Sequence, residues 1–598
     1  MPGVFTLEFP LYLIGLVAGA IRKLVRRNIL GVFTLELPIY VVGLIAGVAI
    51  FVLTLVCVRI SLQVGLIPDF TAPLTLSNYA TVLFDSGTLK IAWNTLMVGV
   101  GTIAISFFFA VPSAWLLQRT DIPWKRFFVV LMFLQLIMPA FLRAMGYIML
   151  LSPRIGLINQ LLRLFIPVET GPLSPYNLFT IAFLQGLGLT PVLFLMISGA
   201  FWSMDSTYEE AASVCGAGRF VVFRRITMSF VTPALMAGLI YILMVGLSLF
   251  ETAALLGTPK GIYIFPTLMY EALYPDFGQP NFGIAAVYGM QLIIPLLVIL
   301  YFYQKVLKSA HRYAAVTGKG YKPKWVALGR LKWVGIGFVS LYFLLVFFLP
   351  FLTMLWASFV PYFQLPSMDV LQKLGLNAYR SGINLIWNKQ ALTNTLLLMF
   401  FVGLFSVTVS FAISWIVVRS RLPGKYALDS IAMMPQALPR AALAIVVLYI
   451  ALSVVKIVPF YGTVIILVIA NTISYIPFTT RTITSAFIQI HRELEEAAQV
   501  AGGSVWVTIR RIVVPVILPA LIFSFIWTAL LAYREVTMAL FLIGPKNIVL
   551  ASEIWTLWDQ SDIVTAAAIG VIMVLIGGII LFAVMSLFPR VFRERVEI

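Results

Sequence analysis

Charged side chains are scarce in this chain. Only 11% of its 598 residues are Asp, Glu, Lys or Arg, whereas 61% are hydrophobic. Ordinary soluble domains carry about 25% charged residues, so this composition excludes a chain made of such domains. Apolar runs of about 20 residues recur along the whole sequence, which is the length a helix needs to cross a hydrocarbon core of roughly 30 Å. The sequence therefore predicts an all-α polytopic membrane protein.

Cysteine and histidine are almost missing as well, with two residues of each. Cys57 lies in an apolar run and Cys215 in a predicted loop, so we expect no disulfide. The histidines, His311 and His491, lie in predicted loops, and nothing resembles a metal cluster or a nucleophile elbow. The phosphate loop G-x4-G-K-[ST] is also absent. We therefore expect no enzyme active site, no metal site and no cofactor in this chain.

Twelve apolar segments are long enough to span a membrane, six in each half. They fall near residues 38–58, 91–117, 127–151, 179–203, 230–256, 283–304, 334–357, 389–417, 427–452, 463–484, 516–543 and 564–588.

The positively charged residues lie mainly in the loops between the apolar segments. The net charge is +18, and the linker between the halves, residues 305–332, carries eight Lys and Arg and no acidic residue. The positive-inside rule places this linker in the cytoplasm, together with the loops around Arg119 and Arg219 and the basic carboxyl terminus. Orientation in the membrane therefore explains the charge better than binding to nucleic acid.

The two halves are related in sequence. The segment from Asn94 aligns with the segment from Asn394, 300 residues later, and "EEAASVCGAGRFVVFRRITMSFVTPAL" from Glu209 aligns with "EEAAQVAGGSVWVTIRRIVVPVILPAL" from Glu495, 286 residues later. Because each repeat has an even number of spans, the halves share one orientation and a parallel pseudo-two-fold axis. The predicted domains are repeats at 31–306 and 333–598 joined by a basic linker at 307–332.

A shorter duplication opens the chain, where "GVFTLEFPLYLIGLVAG" returns 28 residues later as "GVFTLELPIYVVGLIAG". The second copy leads into the first span. The first copy, in the predicted segment 1–30, is either an extra hydrophobic span or an amphipathic helix in the membrane interface.

Each double-glutamate stretch predicts a short helix that protrudes from the membrane. Glutamates in a first turn favour the positive end of the helix dipole, and Ser206 with Glu209 has capping-box spacing. Gly216 and Gly502 are suited to end these helices in the left-handed conformation. A plain connecting helix between two spans is the alternative interpretation.

The second stretch, with Glu496, Ala497, Ala498, Gly502, Ile512 and Pro515, resembles the E-A-A-x3-G-x9-I-x-x-P cytoplasmic loop of permease subunits in binding-protein-dependent ABC importers. The first stretch keeps Glu210, Ala211, Ala212, Gly216 and Ile226 but has Ser229 at the proline position. The resemblance implies a type I importer permease fold in a bacterial inner membrane. It also implies two copies of a cytoplasmic ATPase docked at these loops, with ATP and Mg²⁺ bound there, and a periplasmic binding protein.

Several polar residues are predicted at membrane depth, where such groups are costly and usually face a cavity. They are Arg143, Arg440, Glu251, Glu535, Gln135, Gln185 and Gln436. Two arginines along one pathway favour an anionic cargo. The alternative is that they snorkel to the interface or form braces with Glu251 and Glu535.

The fused halves, "SPRIGLINQLL" and the linker "RYAAVTGKGYKP" resemble the ferric-iron class of these permeases, which is similar in sequence to permeases for phosphonates, polyamines and phosphorylated sugars. In this family the binding protein selects the cargo. The alternative from another class is an ion-coupled secondary transporter, which also has parallel six-span repeats, with Glu251 or Glu535 as the coupling group. A membrane scaffold protein is a third possibility.

Overall fold

The computed structural model describes residues 33–64, 68–167, 170–202, 204, 207–310, 325–420, 424–455 and 458–587. The predicted amino-terminal segment 1–30 and most of the linker lie outside these ranges. Within them the chain is helical, without strands and with two isolated β-bridges, Gln63 to Leu74 and Thr120 to Val326. Helices predominate because a backbone in lipid must satisfy its own hydrogen bonds.

The helices of the first half are α1 (Phe33–Ser61), α2 (Ser77–Leu83), α3 (Thr88–Arg119), α4 (Lys125–Gln135), α5 (Ala140–Leu151), α6 (Leu157–Arg163), α7 (Leu178–Trp202), α8 (Thr207–Val214), α9 (Arg219–Val222), α10 (Met228–Ser248), α11 (Glu251–Leu256), α12 (Phe265–Leu273) and α13 (Phe282–Ala310).

The helices of the second half are α14 (Lys332–Phe343), α15 (Leu349–Phe359), α16 (Met368–Leu371), α17 (Asn377–Asn388), α18 (Ala391–Arg419), α19 (Lys425–Met433), α20 (Arg440–Ser453), α21 (Val464–Gln489), α22 (Arg492–Val500), α23 (Val505–Thr508), α24 (Val514–Tyr533), α25 (Thr537–Phe541), α26 (Leu550–Asp559) and α27 (Ile563–Leu587).

The number of membrane-compatible segments agrees with the prediction. In the described ranges, ten helical segments are long and apolar enough to cross a membrane, and two bent pairs raise the number to twelve if each pair is one span. A π-helical turn, Leu344–Phe348, joins α14 to α15, so these two helices form one of the ten segments.

The third span of each half is broken rather than straight. The pair α4 and α5 is bent by 95°, and Lys425–Ala437 with α20 by 103°. Pro139 and Pro439 directly precede α5 and α20. Proline disfavours a helical conformation in the residue before it and cannot donate the hydrogen bond that would continue the helix, which explains both breaks.

The fifth span of each half is also shorter than predicted. Helices α10 and α24 end at Ser248 and Tyr533, and the chain resumes in the short helices α11 and α25. Glu251 begins α11 and Glu535 lies just before α25, so both predicted intramembrane glutamates occupy breaks between helices.

The chain forms two compact units that cross the predicted domain boundaries. Unit one comprises Met1–Asp85, Leu268–Ile293 and Lys389–Ser552, and unit two comprises Ser86–Thr267, Ile294–Asn388 and Glu553–Ile598. The core of each unit therefore comes from one half and is completed by helices of the other half. The repeats 31–306 and 333–598 remain a prediction about sequence duplication, because each compact unit combines segments from both halves.

In unit two the long helix α3 packs against α7 and α10. Gly186 of α7 has no room for a side chain because it lies against Ile105. Close backbone approach through small residues is typical of membrane helix pairs. Polar contacts join the same pair: Thr102 donates to Gln185 Oε1 at 3.1 Å, and Ser106 donates to the Gly186 carbonyl at 2.9 Å.

In unit one the equivalent helix α18 packs against α21, α24 and α1. Gly403 of α18 lies against the ring of Phe525. Hydroxyl pairs again connect the two long helices: Thr480 donates to Ser410 at 3.1 Å and Thr484 donates to Ser414 at 2.9 Å. Helices α3 and α18 are thus the central helices of their units.

Candidate coupling site

The first glutamate loop, residues 207–227, begins with helix α8. The helical part of the loop ends at Gly216, which has a φ of 85°. The amide of Ala217 donates to the Ala212 carbonyl at 3.0 Å. This left-handed glycine with its backward hydrogen bond is a common helix ending. The prediction for Gly216 is confirmed, whereas Ser206 of the predicted capping box lies outside the described residues.

The second glutamate loop, residues 492–513, repeats this geometry in unit one. Helix α22 is followed by Gly502 with φ of 83°, and the amide of Gly503 donates to the Ala498 carbonyl at 2.9 Å. The prediction for Gly502 is therefore confirmed as well. Both loops turn back toward the membrane helices at the same relative residue.

Each paired arginine motif lies in a π-helical turn that continues directly into the next long helix. These turns are Phe223–Thr227 before α10 and Ile509–Val513 before α24. Pro515 is near the start of α24, and Ser229 takes its place in α10. Helices α10 and α24 begin in the same way, so the missing proline does not change the local structure.

The two glutamates of each pair differ in environment. Glu210 and Glu496 are exposed. Glu209 and Glu495 instead contact the arginines at the ends of α3 and α18: Glu209 pairs with Arg119, and Glu495 Oε1 lies 2.8 Å from Arg419 Nε. The family motif distinguished Glu210 and Glu496, but the sequence indicated no separate role for Glu209 and Glu495 and none for these arginines in the loops.

Exposed apolar side chains also occur at matching positions of the two loops. Val214 and Val500, at the ends of α8 and α22, are 88% and 91% exposed. Within the loops, the other large exposed apolar residues that correspond at the 286-residue offset are Tyr208 with Leu494, Phe220 with Trp506 and Val221 with Val507. Apolar side chains that protrude at repeated positions are typical of an interaction surface. The alignment of the two stretches contained this signal, but the residue types alone did not reveal their exposure.

Among the predicted pathway residues of unit two, Arg143 and Gln135 are buried together. Arg143 donates to the Leu184 carbonyl at 3.1 Å and to Gln135 Oε1 at 3.4 Å. A Cβ atom at Gly188 would overlap the guanidinium, so this glycine makes room for Arg143. Glu251 is also buried in this unit.

In unit one Arg440 contacts Glu535 in an ion pair. The Arg440 side chain is 38% exposed and its guanidinium lies 5.5 Å from the centre of the Tyr475 ring. Glu535 is buried and accepts a hydrogen bond from the Met538 amide at 3.2 Å. Gln436 is half-buried in the 3-10 turn of the broken span. The brace alternative describes these contacts, while a role of the seven polar residues in the pathway stays a prediction.

Metal-ligating side chains do not gather in the described ranges, where no group of three His, Cys, Asp or Glu residues could hold an ion. Cys57 is buried and Cys215 is exposed, and both are free thiols.

Comparison with known proteins gives a family match in the second half. Residues 406–594 match the family described as "Binding-protein-dependent transport system inner membrane component". The matched range includes the carboxyl-terminal part of α18 and the whole second glutamate loop.

Relatives extend the similarity over most of the chain. The ferric transport system permease protein FbpB of Actinobacillus pleuropneumoniae is 26% identical over 494 residues, covering 81% of this chain and 69% of the relative. The spermidine/putrescine transport system permease protein PotB of Haemophilus influenzae is 27% identical over 239 residues, covering 39% and 80%. The sulfate transport system permease protein CysT of Escherichia coli (strain K12) is 25% identical over 246 residues, covering 38% and 87%.

The extent of these matches differs in an informative way. FbpB aligns across both halves, whereas PotB and CysT align over less than half of this chain while most of their own length is covered. By these similarities the chain resembles fused, two-half permease subunits of binding-protein-dependent ABC importers, with the family match itself in the second half.

Proposed function

We propose that the two glutamate loops dock two copies of a cytoplasmic ATPase, so that ATP-driven closure of the ATPase pair moves the membrane helices. The observation that carries this proposal is the matched geometry of the loops: a short helix, a left-handed glycine, an exposed second glutamate and exposed apolar residues at equal positions. A connecting helix has no need of these features twice.

In this proposal the loops and the carboxyl terminus face the cytoplasm, and the chain carries no ATPase site of its own. Cargo arrives from a periplasmic binding protein and crosses by alternating access. ATP and Mg²⁺ belong to the ATPase subunits. The proposed location in the bacterial inner membrane is supported by the multi-span helical architecture together with the match to the transport family.

The cargo we propose is ferric iron carried with an anion. Fused relatives are named for ferric transport, and their similarity extends over both halves. In this family the binding protein selects the cargo, so the proposal requires no iron-ligand cluster in this chain. Phosphonate, phosphorylated sugar, polyamine and, from the name of CysT, sulfate are the alternatives.

The test is purification of the tagged chain from the membranes of its own host, followed by identification of the proteins that come with it. We expect a soluble ATPase at two copies per chain, with hydrolysis stimulated by a periplasmic protein. The ligand bound to that protein identifies the cargo. Recovery of the chain alone, without ATPase, would overturn the proposal.

The second candidate, an ion-coupled secondary transporter, is favoured by one observation. Glu535 is a buried carboxylate at membrane depth that contacts Arg440, and ionisable side chains inside a membrane protein often mark ion pathways. Uptake by membrane vesicles that have an ion gradient across the membrane but contain no ATP would support this function. Uptake that requires ATP and persists after the gradient is collapsed would exclude it.

A further inference from the structure

Each long central helix ends at a buried arginine. Arg119 is the last residue of α3 and Arg419 the last residue of α18, and their side chains are 1% and 9% exposed. A buried guanidinium needs several partners, since an unsatisfied buried charge is strongly unfavourable. Their partners therefore identify which elements these arginines connect.

In unit two Arg119 connects three helices. Its guanidinium contacts the carboxylate of Glu209 in α8 and donates to the Met204 carbonyl, two residues beyond the end of α7, at 3.1 Å. Thr227, in the π-helical turn, donates to the other oxygen of Glu209 at 2.6 Å. The first glutamate loop is thus fastened at both its beginning and its end.

In unit one Arg419 makes the equivalent junction. It donates to the carbonyls of Phe487 and Ile490 at the end of α21, at 3.2 and 3.0 Å, while Nε lies against Glu495 of α22. Ile490 and Met204 correspond at the 286-residue offset, so both arginines use the same backbone carbonyl. The contact with Glu495 is a charge contact at 2.8 Å without hydrogen-bond alignment.

This junction is suited to transmit movement. Carbonyls at a helix end lack intrahelical donors, and a charge-assisted hydrogen bond to them is stronger than a neutral one. The arginine therefore links the short loop helix to the ends of the two long helices packed most closely in its unit. The second glutamate of each pair, Glu210 or Glu496, is exposed.

We propose that Arg119 and Arg419 are positioning residues that transmit movement of each ATPase-docking helix to the two long helices of its own unit. The inference rests on the proposed function, since it requires an ATPase at the loops. It divides each glutamate pair by role: Glu209 and Glu495 hold the loop to the membrane helices, and Glu210 and Glu496 face the partner.

The experiment replaces the junction without leaving a buried charge. Exchange of a buried ion pair for apolar residues of similar size is often neutral or stabilising, so Arg419→Met with Glu495→Leu is expected to fold. The variant chain is purified with its ATPase and binding protein, and hydrolysis is measured with and without that binding protein. The matched control is Arg481→Met with Asp429→Leu, an exposed pair of the same chemistry in unit one.

We expect the double variant to retain two ATPase copies while stimulation of hydrolysis by the binding protein falls about fivefold or more, the lower range of usual coupling between sites. The control pair is expected to keep the stimulation of the unaltered chain. Arg419→Lys should give an intermediate value, because its single ammonium reaches fewer of the partners.

Three results would overturn the inference. Unchanged stimulation in the double variant would show that movement is transmitted elsewhere. Loss of the ATPase from the double variant would make the pair part of the docking surface or of the fold. Failure of the unaltered chain to bind any ATPase would overturn the proposed function itself. This result can be told apart from failure of the inference, because it is obtained before any substitution is made.

Discussion

The two glutamate loops share one geometry, yet the first glutamate of each pair has different partners. Glu209 accepts from both Arg119 and Thr227, whereas the position of Thr227 is occupied by Val513 in the second loop. The peptide of Arg119 is also bonded to the linker: the Val326 amide donates to the Arg119 carbonyl at 2.8 Å. Leu328 donates to Asp121 at 2.8 Å, and Lys125 lies 3.1 Å from the Trp325 ring centre.

Contacts that occur in both units are the ones the junction is expected to require. The arginine, the first glutamate and the helix-end carbonyl are present in both units. The two arginines align at an offset of 300 residues, whereas the glutamates and the carbonyls align at an offset of 286. The threonine hydroxyl and the linker contacts occur around the first loop. The shared contacts are therefore the ones expected to transmit movement, and the threonine hydroxyl is expected to hold Glu209 more firmly than Glu495 is held.

The largest expected effect is on stability. Arg119→Ala leaves Glu209 without its buried partner, and breaking a buried ion pair costs about 3–5 kcal/mol. We expect a smaller loss for Arg419→Ala, since this pair is less deeply buried on the arginine side. Thermal unfolding of the purified chains measures both. Arg481→Ala, which breaks an exposed pair, should cost at most about 1 kcal/mol. Equal losses for all three would contradict the comparison.

The next effect concerns the hydroxyl that differs between the loops. Thr227→Val removes a hydrogen bond to a carboxylate, which typically contributes about 1.5–3 kcal/mol. Amide hydrogen exchange in α8 should become faster, while exchange in α22 stays unchanged. The reciprocal Val513→Thr is expected to slow exchange in α22. Identical exchange in the Thr227→Val chain and the unaltered chain would show that the hydroxyl adds nothing.

Substitution of the exposed glutamates tests whether they contact the ATPase. Glu210→Arg and Glu496→Arg are each expected to weaken ATPase association about tenfold or more, a change of about 1.4 kcal/mol, through reversal of a charge facing the partner. Membrane insertion should be unaffected because these side chains lie outside the packed helices. Co-purification and membrane abundance are the measurements. Normal assembly and uptake in both variants would refute the coupling assignment.

The smallest effect is expected for the protruding valines. Val214→Ser and Val500→Ser each remove apolar contact area and should weaken ATPase binding about fivefold, near 1 kcal/mol. Val458→Ser, at an exposed valine outside both loops, is the control and should leave binding unchanged. A larger effect at Val500 than at Val214 would show that the loop without the threonine hydroxyl depends more on its apolar contact.

Much of the architecture was predictable because lipid leaves the backbone few choices. Composition indicated membrane helices, and apolar length located twelve segments, a number that the described residues reach when each bent pair is taken as one span. The breaks at Pro139 and Pro439 were missed because an apolar run has the same hydropathy whether its helix is straight or bent. The prolines were the signal for them.

The glutamate loops were predictable for another reason. Capping, glycine and charge preferences act within a few residues, so Gly216 and Gly502 could be assigned from local sequence alone. The pairing of Arg119 with Glu209 could not, because the partners are 90 residues apart and their repeats have different offsets.

By itself, the sequence determined the helical class, the approximate spans, the duplication and the two turns, all of which depend on local composition or on self-similarity. The tertiary structure alone decided which half completes each compact unit, how Arg440 and Glu535 meet, and which glutamate of each pair faces inward. These features depend on contacts between helices distant in the chain. Side-chain packing and burial select such contacts, and a linear pattern of hydrophobicity does not encode them.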